Sequence, residues 1–384
     1  MPPAIWAFLF GNFVIGSGVI IVPGTLNYIS VSLAVSVPVA GQLISVAALV
    51  MCLGAPLLAS VVAGWDRRRL LALSMAWYGV LHLLSALMPA YGPLLLVRVF
   101  AVLAPAVFTP QAASCVSQLV APSQRGRAIT LVFLGWSVAS VVGMPMGSWI
   151  GGTWGWQSAF ATVGVLALVS ALWIWRVTPN GIRPPAFSRE AWLQTLRSRP
   201  LMLCVLVTAL YSAGQFVLFS YFAPYYKQTL DMTPGQLSLM FAWFGAFGFL
   251  GNLLVSQRID RLGAPRAVFL AISSMALSLA VWPLGSSLAL AALVAVPWAL
   301  GCFASNSAQQ ARLFGISPAL ASGSIALNSS AMYAGQALGA ASGGWLIAHG
   351  QMANLHWAGL ASLLLALLLS WLASMAQQRA SVAA

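Results

Sequence analysis

The chain has 384 residues, 61% of them hydrophobic and only 5% charged, with a mean hydropathy of +0.92. A soluble domain carries about a quarter of its residues charged, so composition excludes a water-soluble fold and makes lipid the solvent. The net charge of +13 does not mark a nucleic-acid binder, because the basic residues lie in short segments between apolar runs.

Those runs are near or above the ~20 residues that a tilted helix needs to cross a bilayer. In chain order they predict spans at 5–30, 40–63, 70–89, 93–120, 128–150, 156–177, 201–226, 235–257, 267–284, 287–312, 319–348 and 355–376. The expected fold class is an all-α membrane protein of twelve transmembrane helices in two six-helix bundles. Of the 17 basic residues, 15 fall on alternate loops or the two ends of the linker and tail: Arg67–Arg69, Arg125 and Arg127, the arginines from Arg176 to Arg199, Arg258 to Arg266, Arg312 and Arg379. The opposite side carries Lys227, and Arg98 lies within a span. The arginine-rich side is therefore expected to be cytoplasmic, with both termini inside.

The chain starts Met-Pro-Pro with no basic segment before a long apolar run, which reads as a first span and not as a cleaved signal. Cys52, Cys115, Cys204 and Cys302 all fall inside spans and form no metal-type spacing, so they read as small packing residues. No metal and no cofactor are expected.

The chain repeats itself about 194 positions apart. Gly41-Gln42-Leu43 recurs as Gly235-Gln236-Leu237, and Asp66-Arg67 recurs as Asp260-Arg261. Span 5 carries Gly135, Gly143, Gly147 and Gly151, and span 11 carries Gly335, Gly339 and Gly343. A duplicated six-span unit is the reading, with bundles at 1–177 and 201–384. The Pro- and Arg-rich stretch 178–200 between them is a cytoplasmic linker, in which Ser188–Leu196 could form a short amphipathic helix with Trp192, Leu193 and Leu196 on the membrane surface.

These residues resemble the major facilitator superfamily, and within it the twelve-span drug:proton antiporter group with its arabinose-efflux-permease-like and sugar-efflux members. The loop motif appears as Gly64-Trp65-Asp66-Arg67-Arg68-Arg69 and again as Asp260-Arg261-Leu262-Gly263. The span-5 motif appears as Gly143-Met144-Pro145-Met146-Gly147. The resemblance implies secondary transport by alternating access. It also implies that Asp66, Arg67, Asp260 and Arg261 gate the cytoplasmic side; a solvated loop role is the competing reading of the two acids. Small residues every fourth position let membrane helices approach closely, so Gly143, Gly147, Gly335, Gly339 and Gly343 read as packing faces, against spans 8 and 2 of the opposite half. Pro145 is expected to kink its helix.

The four acids are Asp66, Glu190, Asp231 and Asp260, none of them deep in a span. Where the resembling group often carries an acid in span 1, Gly16-Ser17-Gly18-Val19 has Val19. Intramembrane acids are the usual proton carriers and counter-ions for cations, so the substrate is expected to be neutral or anionic. Arg98, in Leu96-Val97-Arg98-Val99, resembles a span-4 arginine linked to proton transfer; snorkelling to the interface and contact with an anionic substrate are the other readings. His82, His349 and His356 are of a type that can titrate near neutral pH, but each is isolated in sequence; packing or interfacial placement is the plainer reading, with a coupling role for His82 the alternative.

A polar, uncharged cavity is expected near the midplane from Asn12 and Asn27 of span 1, Tyr211, Gln215 and Phe219 of span 7, Asn306 and Gln310 of span 10, and Asn328, Tyr333 and Gln336 of span 11. Each could hydrogen-bond a substrate or glue helices together. The resulting expectation is an exporter of a small metabolite, sugar or drug, monomeric, in a bacterial-type inner membrane. Protons are the candidate coupling ion. A transporter-derived receptor or an uncoupled facilitator is the alternative. A membrane enzyme is disfavoured, since no nucleophile–base set can be assembled from these spans.

Overall fold

The computed structural model describes residues 1–62, 64–121, 124–183, 189–317 and 320–383; of residues 59, 60, 117, 126, 127, 189, 191, 192, 260, 321, 322 and 378–383 only the backbone is described. The described residues form sixteen α-helices, and ten helical stretches are long and apolar enough to cross a membrane.

The first unit comprises Met1–Ala186 together with Met232–Ala242. It holds α1 (Pro3–Ser32), α2 (Val37–Val61), α3 (Arg67–Ala86), α4 (Tyr91–Ala101), α5 (Leu103–Leu119), α6 (Arg125–Val138), α7 (Met144–Trp154) and α8 (Trp156–Val177). Here α1 packs on α6, α7 and α8, and α3 packs on α8 and α5. The second unit comprises Phe187–Asp231 and Trp243–Ala384. It holds α9 (Arg189–Arg197), α10 (Arg199–Phe219), α11 (Phe222–Leu230), most of α12 (Pro234–Leu262), α13 (Ala264–Ala280), α14 (Leu288–Ile316), α15 (Ala321–Ala348) and α16 (Leu355–Ala383). In this unit α10 packs on α15 and α16, and α13 on α14.

Spans 4, 5 and 7 are each built from more than one α-helix. Span 4 breaks at Val102 between α4 and α5. Pro105 explains the break, since it has no N–H to give the Ala101 carbonyl one turn earlier. Span 5 is α6, a π-helical turn at Ala139–Gly143, and α7. The amide of Met144 reaches back five residues to the Ala139 carbonyl. Pro145 follows directly, so the expected kink takes the form of a widened turn that absorbs the proline's missing donor. Span 7 is α10 and α11, divided at Ser220–Tyr221.

The glycine faces are close-packing faces, but their partners differ from expectation. A Cβ at Gly135 would collide with the Leu9 carbonyl and the Phe13 amide; at Gly143 it would meet Ser17, at Gly147 Ile21 and at Gly151 Thr25. All of these partners lie on α1. At Gly335, Gly339 and Gly343 it would meet the carbonyls of Ala209, Ala213 and Val217, all on α10. Each stripe therefore seats the first helix of its own half. The start of α12 reaches a different face of span 5, where the Ser238 hydroxyl donates to the Pro145 carbonyl at 2.9 Å. An i, i+4 stripe announces close approach without specifying the neighbour.

Candidate functional site

In the first unit the buried polar groups gather around Arg98. Arg98 is 2% exposed and sits in the last turn of α4, just before the break at Val102. One terminal nitrogen, Nη2, donates to the Gly18 carbonyl of α1 at 2.9 Å, and Nη1 lies 3.3 Å from Nε2 of His82 on α3. The guanidinium also stands 5.9 Å over the Phe160 ring of α8. His82 is fully buried, with Nδ1 2.9 Å from the Tyr78 carbonyl. A carbonyl can only accept and a guanidinium can only donate. These contacts fit the neutral tautomer with hydrogen on Nδ1 and a lone pair on Nε2 facing Arg98. Tyr78, one turn earlier, donates its hydroxyl to the Ile15 carbonyl at 3.3 Å. Gly18 permits the convergence, because a Cβ there would lie 2.9 Å from His82 Nε2.

Asn12 stands apart from this cluster. Its amide nitrogen donates to the Val132 carbonyl at 3.1 Å, and its oxygen accepts from the Thr109 hydroxyl at 2.8 Å. It is fully buried and ties α1 to α5 and α6. Asn27 is half-buried near the other end of α1.

At the loop motif, Asp66 caps α3. Its Oδ1 accepts from the Arg69 amide at 3.2 Å and its Oδ2 from the Gly181 amide at 2.5 Å. Arg67 donates through Nη1 to the carbonyls of Val62 (3.1 Å) and Trp65 (2.9 Å), and its amide donates to the Ile182 carbonyl at 3.0 Å. Arg68 adds a bond to the Asn180 side chain at 3.1 Å and stacks over Trp175. The motif thus binds the segment that follows α8 to the start of α3. The Asp260 side chain lies outside the described residues, as do those of Arg127 and Trp192; Arg261 is exposed at the end of α12.

In the second unit the expected amides line up between α10, α14 and α15. The Thr208 hydroxyl donates to Asn328 Oδ1 at 2.5 Å, and Asn328 Nδ2 donates to Asn306 Oδ1 at 3.1 Å. One turn and more along α10, Gln215 donates to Cys302 Sγ at 2.6 Å. Tyr211 lies between them, 2% exposed, with Thr208 and Ser305 beside its hydroxyl. Tyr333 and Gln336 are buried on α15, and Gln310 is half-buried on α14. Phe219 belongs elsewhere, in an aromatic cluster with Phe216, Phe222, Phe244 and Trp298.

Two features of the described interior had no sequence signal. His82 looked isolated because its partner is on another helix. Arg312 is another buried guanidinium, 1% exposed, donating to Ser370 Oγ (3.0 Å), the Ser370 carbonyl (3.1 Å) and Ser374 Oγ (2.9 Å) of α16. Read from the sequence it was one more loop arginine at the end of span 10.

The family model described as Major Facilitator Superfamily matches residues 8–326. The inner membrane transport protein YdhP of Escherichia coli K12 is 30% identical over 350 residues, covering 90% of this chain and 88% of the relative. The purine ribonucleoside efflux pump NepI of Salmonella paratyphi B is 30% identical over 278 residues, covering 70% and 68%. Among solved structures, that of a D-xylose-proton symporter superposes with a TM-score of 0.78 at 17% identity, covering 96% of this chain and 97% of the other.

Proposed function

The chain belongs to the Major Facilitator Superfamily and is a multi-pass secondary transporter, and on that premise we propose that it exports a small, neutral or anionic, hydrogen-bonding molecule. The observation that carries this reading is where the acids stand. Asp66 precedes α3, Glu190 is in the short helix α9, Asp231 caps the end of α11 and Asp260 is in the last turn of α12. What the described residues bury instead is amides, hydroxyls, imidazoles and the guanidinium groups of Arg67, Arg98 and Arg312. A desolvated cation without a carboxylate partner costs several kcal/mol, and an aromatic face returns only ~0.5–2 kcal/mol. Hydroxyl- and amide-bearing substrates suit Asn306, Gln310, Asn328, Gln215, Tyr211, Tyr333 and Gln336 better.

The relative named as a purine ribonucleoside efflux pump makes a purine nucleoside the first probe. Protons are the proposed coupling ion, with both termini cytoplasmic, and the Asp66–Arg67 and Asp260–Arg261 loops the proposed cytoplasmic gate. Inside-out proteoliposomes containing the purified protein test the reading. Adenosine, a neutral sugar and a lipophilic quaternary ammonium dye are offered with and without an imposed proton gradient. Gradient-driven uptake of a neutral probe supports it. Saturable transport of the quaternary dye alone overturns it, and saturable binding without uptake favours a receptor.

A further inference from the structure

We propose that Nε2 of His82 is the exchangeable proton site of this transporter's interior, and that a proton and Arg98 compete for its lone pair. The proposal rests on the secondary-transport reading and names its coupling group. A coupling site needs a group that can gain and lose a proton, is enclosed, and exchanges partners when it does so. The acids lie outside the span interiors, so no carboxylate fills that role. A histidine is the side chain whose ordinary titration range is nearest to neutral pH.

Everything that faces His82 fits the competition. From its own helix, Tyr78 supplies the carbonyl that holds Nδ1–H, and its ring stands 4.1 Å from the imidazole. From α1 comes the backbone of Gly18, from α4 Arg98, and from α8 the stacked ring of Phe160 at 5.8 Å. Arg98 is the one charged group among them. With Nε2 bare, it accepts from Arg98. With Nε2 protonated, two donors and two positive charges would meet at 3.3 Å, and Arg98 must withdraw.

The backbone gives it somewhere to go. Arg98 rides at the end of an eleven-residue helix, directly before the break at Val102. Withdrawal also releases the Gly18 carbonyl, which becomes the acceptor for the new Nε2–H. Proton uptake thus exchanges an α3–α4 contact and an α1–α4 contact for an α1–α3 contact. Three helices of one bundle change partners around one proton.

Nitrogen-15 NMR of histidine-labelled protein in detergent tests this without a substrate. His82→Gln identifies the resonance among the three histidines. In the wild type, His82 is expected as the neutral Nδ1–H tautomer across pH 6–8. In Arg98→Gln the Nε2 resonance of His82 is expected to move, because its lone pair loses the guanidinium donor. An Nε2–H tautomer in the wild type, or a His82 Nε2 resonance that Arg98→Gln does not move, overturns the proposal. In proteoliposomes, wild-type adenosine uptake driven by a proton gradient tests the transport reading by itself. His82→Gln is expected to abolish the response to the gradient, and wild-type gradient-driven accumulation in that variant overturns the proposal. If the wild type moves no probe, the transport reading fails and the NMR titration alone decides the proton site.

Discussion

The carboxylate of Asp66 accepts a hydrogen bond from the amide of Gly181, 115 positions away, at 2.5 Å. Its other oxygen caps α3 through the Arg69 amide. One side chain therefore closes a helix and fastens the segment leaving the sixth span, and Gly181 meets it with φ +84°, a left-handed conformation that suits glycine.

Removing this side chain should cost stability as a lost cap does, about 0.5–2 kcal/mol. Asp66→Ala is expected to lower the melting temperature more than Asp66→Asn, whose amide oxygen still accepts. Thermal unfolding in detergent, paired with thiol labelling of a cysteine placed at Asn180, reads both effects. Equal stability of the two variants and the wild type would show that the cap is idle.

Glycine substitutions should separate packing from propensity. Gly339→Val would drive a side chain into the Ala213 carbonyl on α10, an overpacking expected to cost about 1–3 kcal/mol. Gly92→Ala has nothing within 4 Å and should be neutral. Paired unfolding curves check the contrast; a tolerated Gly339→Val would mean that α10 and α15 pack less closely than the structure has them.

Arg312 provides a test of a buried cation served only by neutral acceptors. Ser370→Ala deletes one of its three hydrogen bonds and leaves a donor of a charged group unmet, which should cost about 1–3 kcal/mol. Arg312→Lys should be at least as damaging, because an ammonium cannot span the Ser370 and Ser374 oxygens in the same fork. Denaturation midpoints of both variants are the measurement.

Asp231, at the exposed end of α11, is paired with Lys227. The Lys227 hydrogen bond first, and its charge second, hold the Asp231 carboxyl below the usual carboxylate range. With the folded value depressed, the pair's contribution is present above the unfolded value and fades as pH falls through the folded one. Lys227→Met should return Asp231 to the ordinary range in a carboxyl NMR titration. Both side chains are exposed, so the melting temperature should barely move.

The loops bearing Arg67–Arg69 and Arg258–Arg266 should both be labelled from the cytoplasm and not from the periplasm when cysteines are placed beside them. The distribution of the arginines motivates this, and periplasmic labelling of either loop would refute it.

Composition and hydropathy alone determined the class of this protein, because only a lipid solvent tolerates so few charges. The order of spans and the doubling of the six-helix unit were also legible, since helices in a membrane satisfy their own backbone and so announce themselves by length. The glycine stripes were visible as close-packing faces. That their partners are α1 and α10 was not, because a helical period records which face is small and says nothing about which neighbour fills it. The same limit hid the pairing of His82 with Arg98 and of Arg312 with Ser370, and it left open which helices the Asn12 amide joins. Hydrogen-bond partners in a helical membrane protein lie on different helices at separations that no local pattern encodes. Only the tertiary packing decides which polar groups meet, and therefore which remain open to a substrate or a proton.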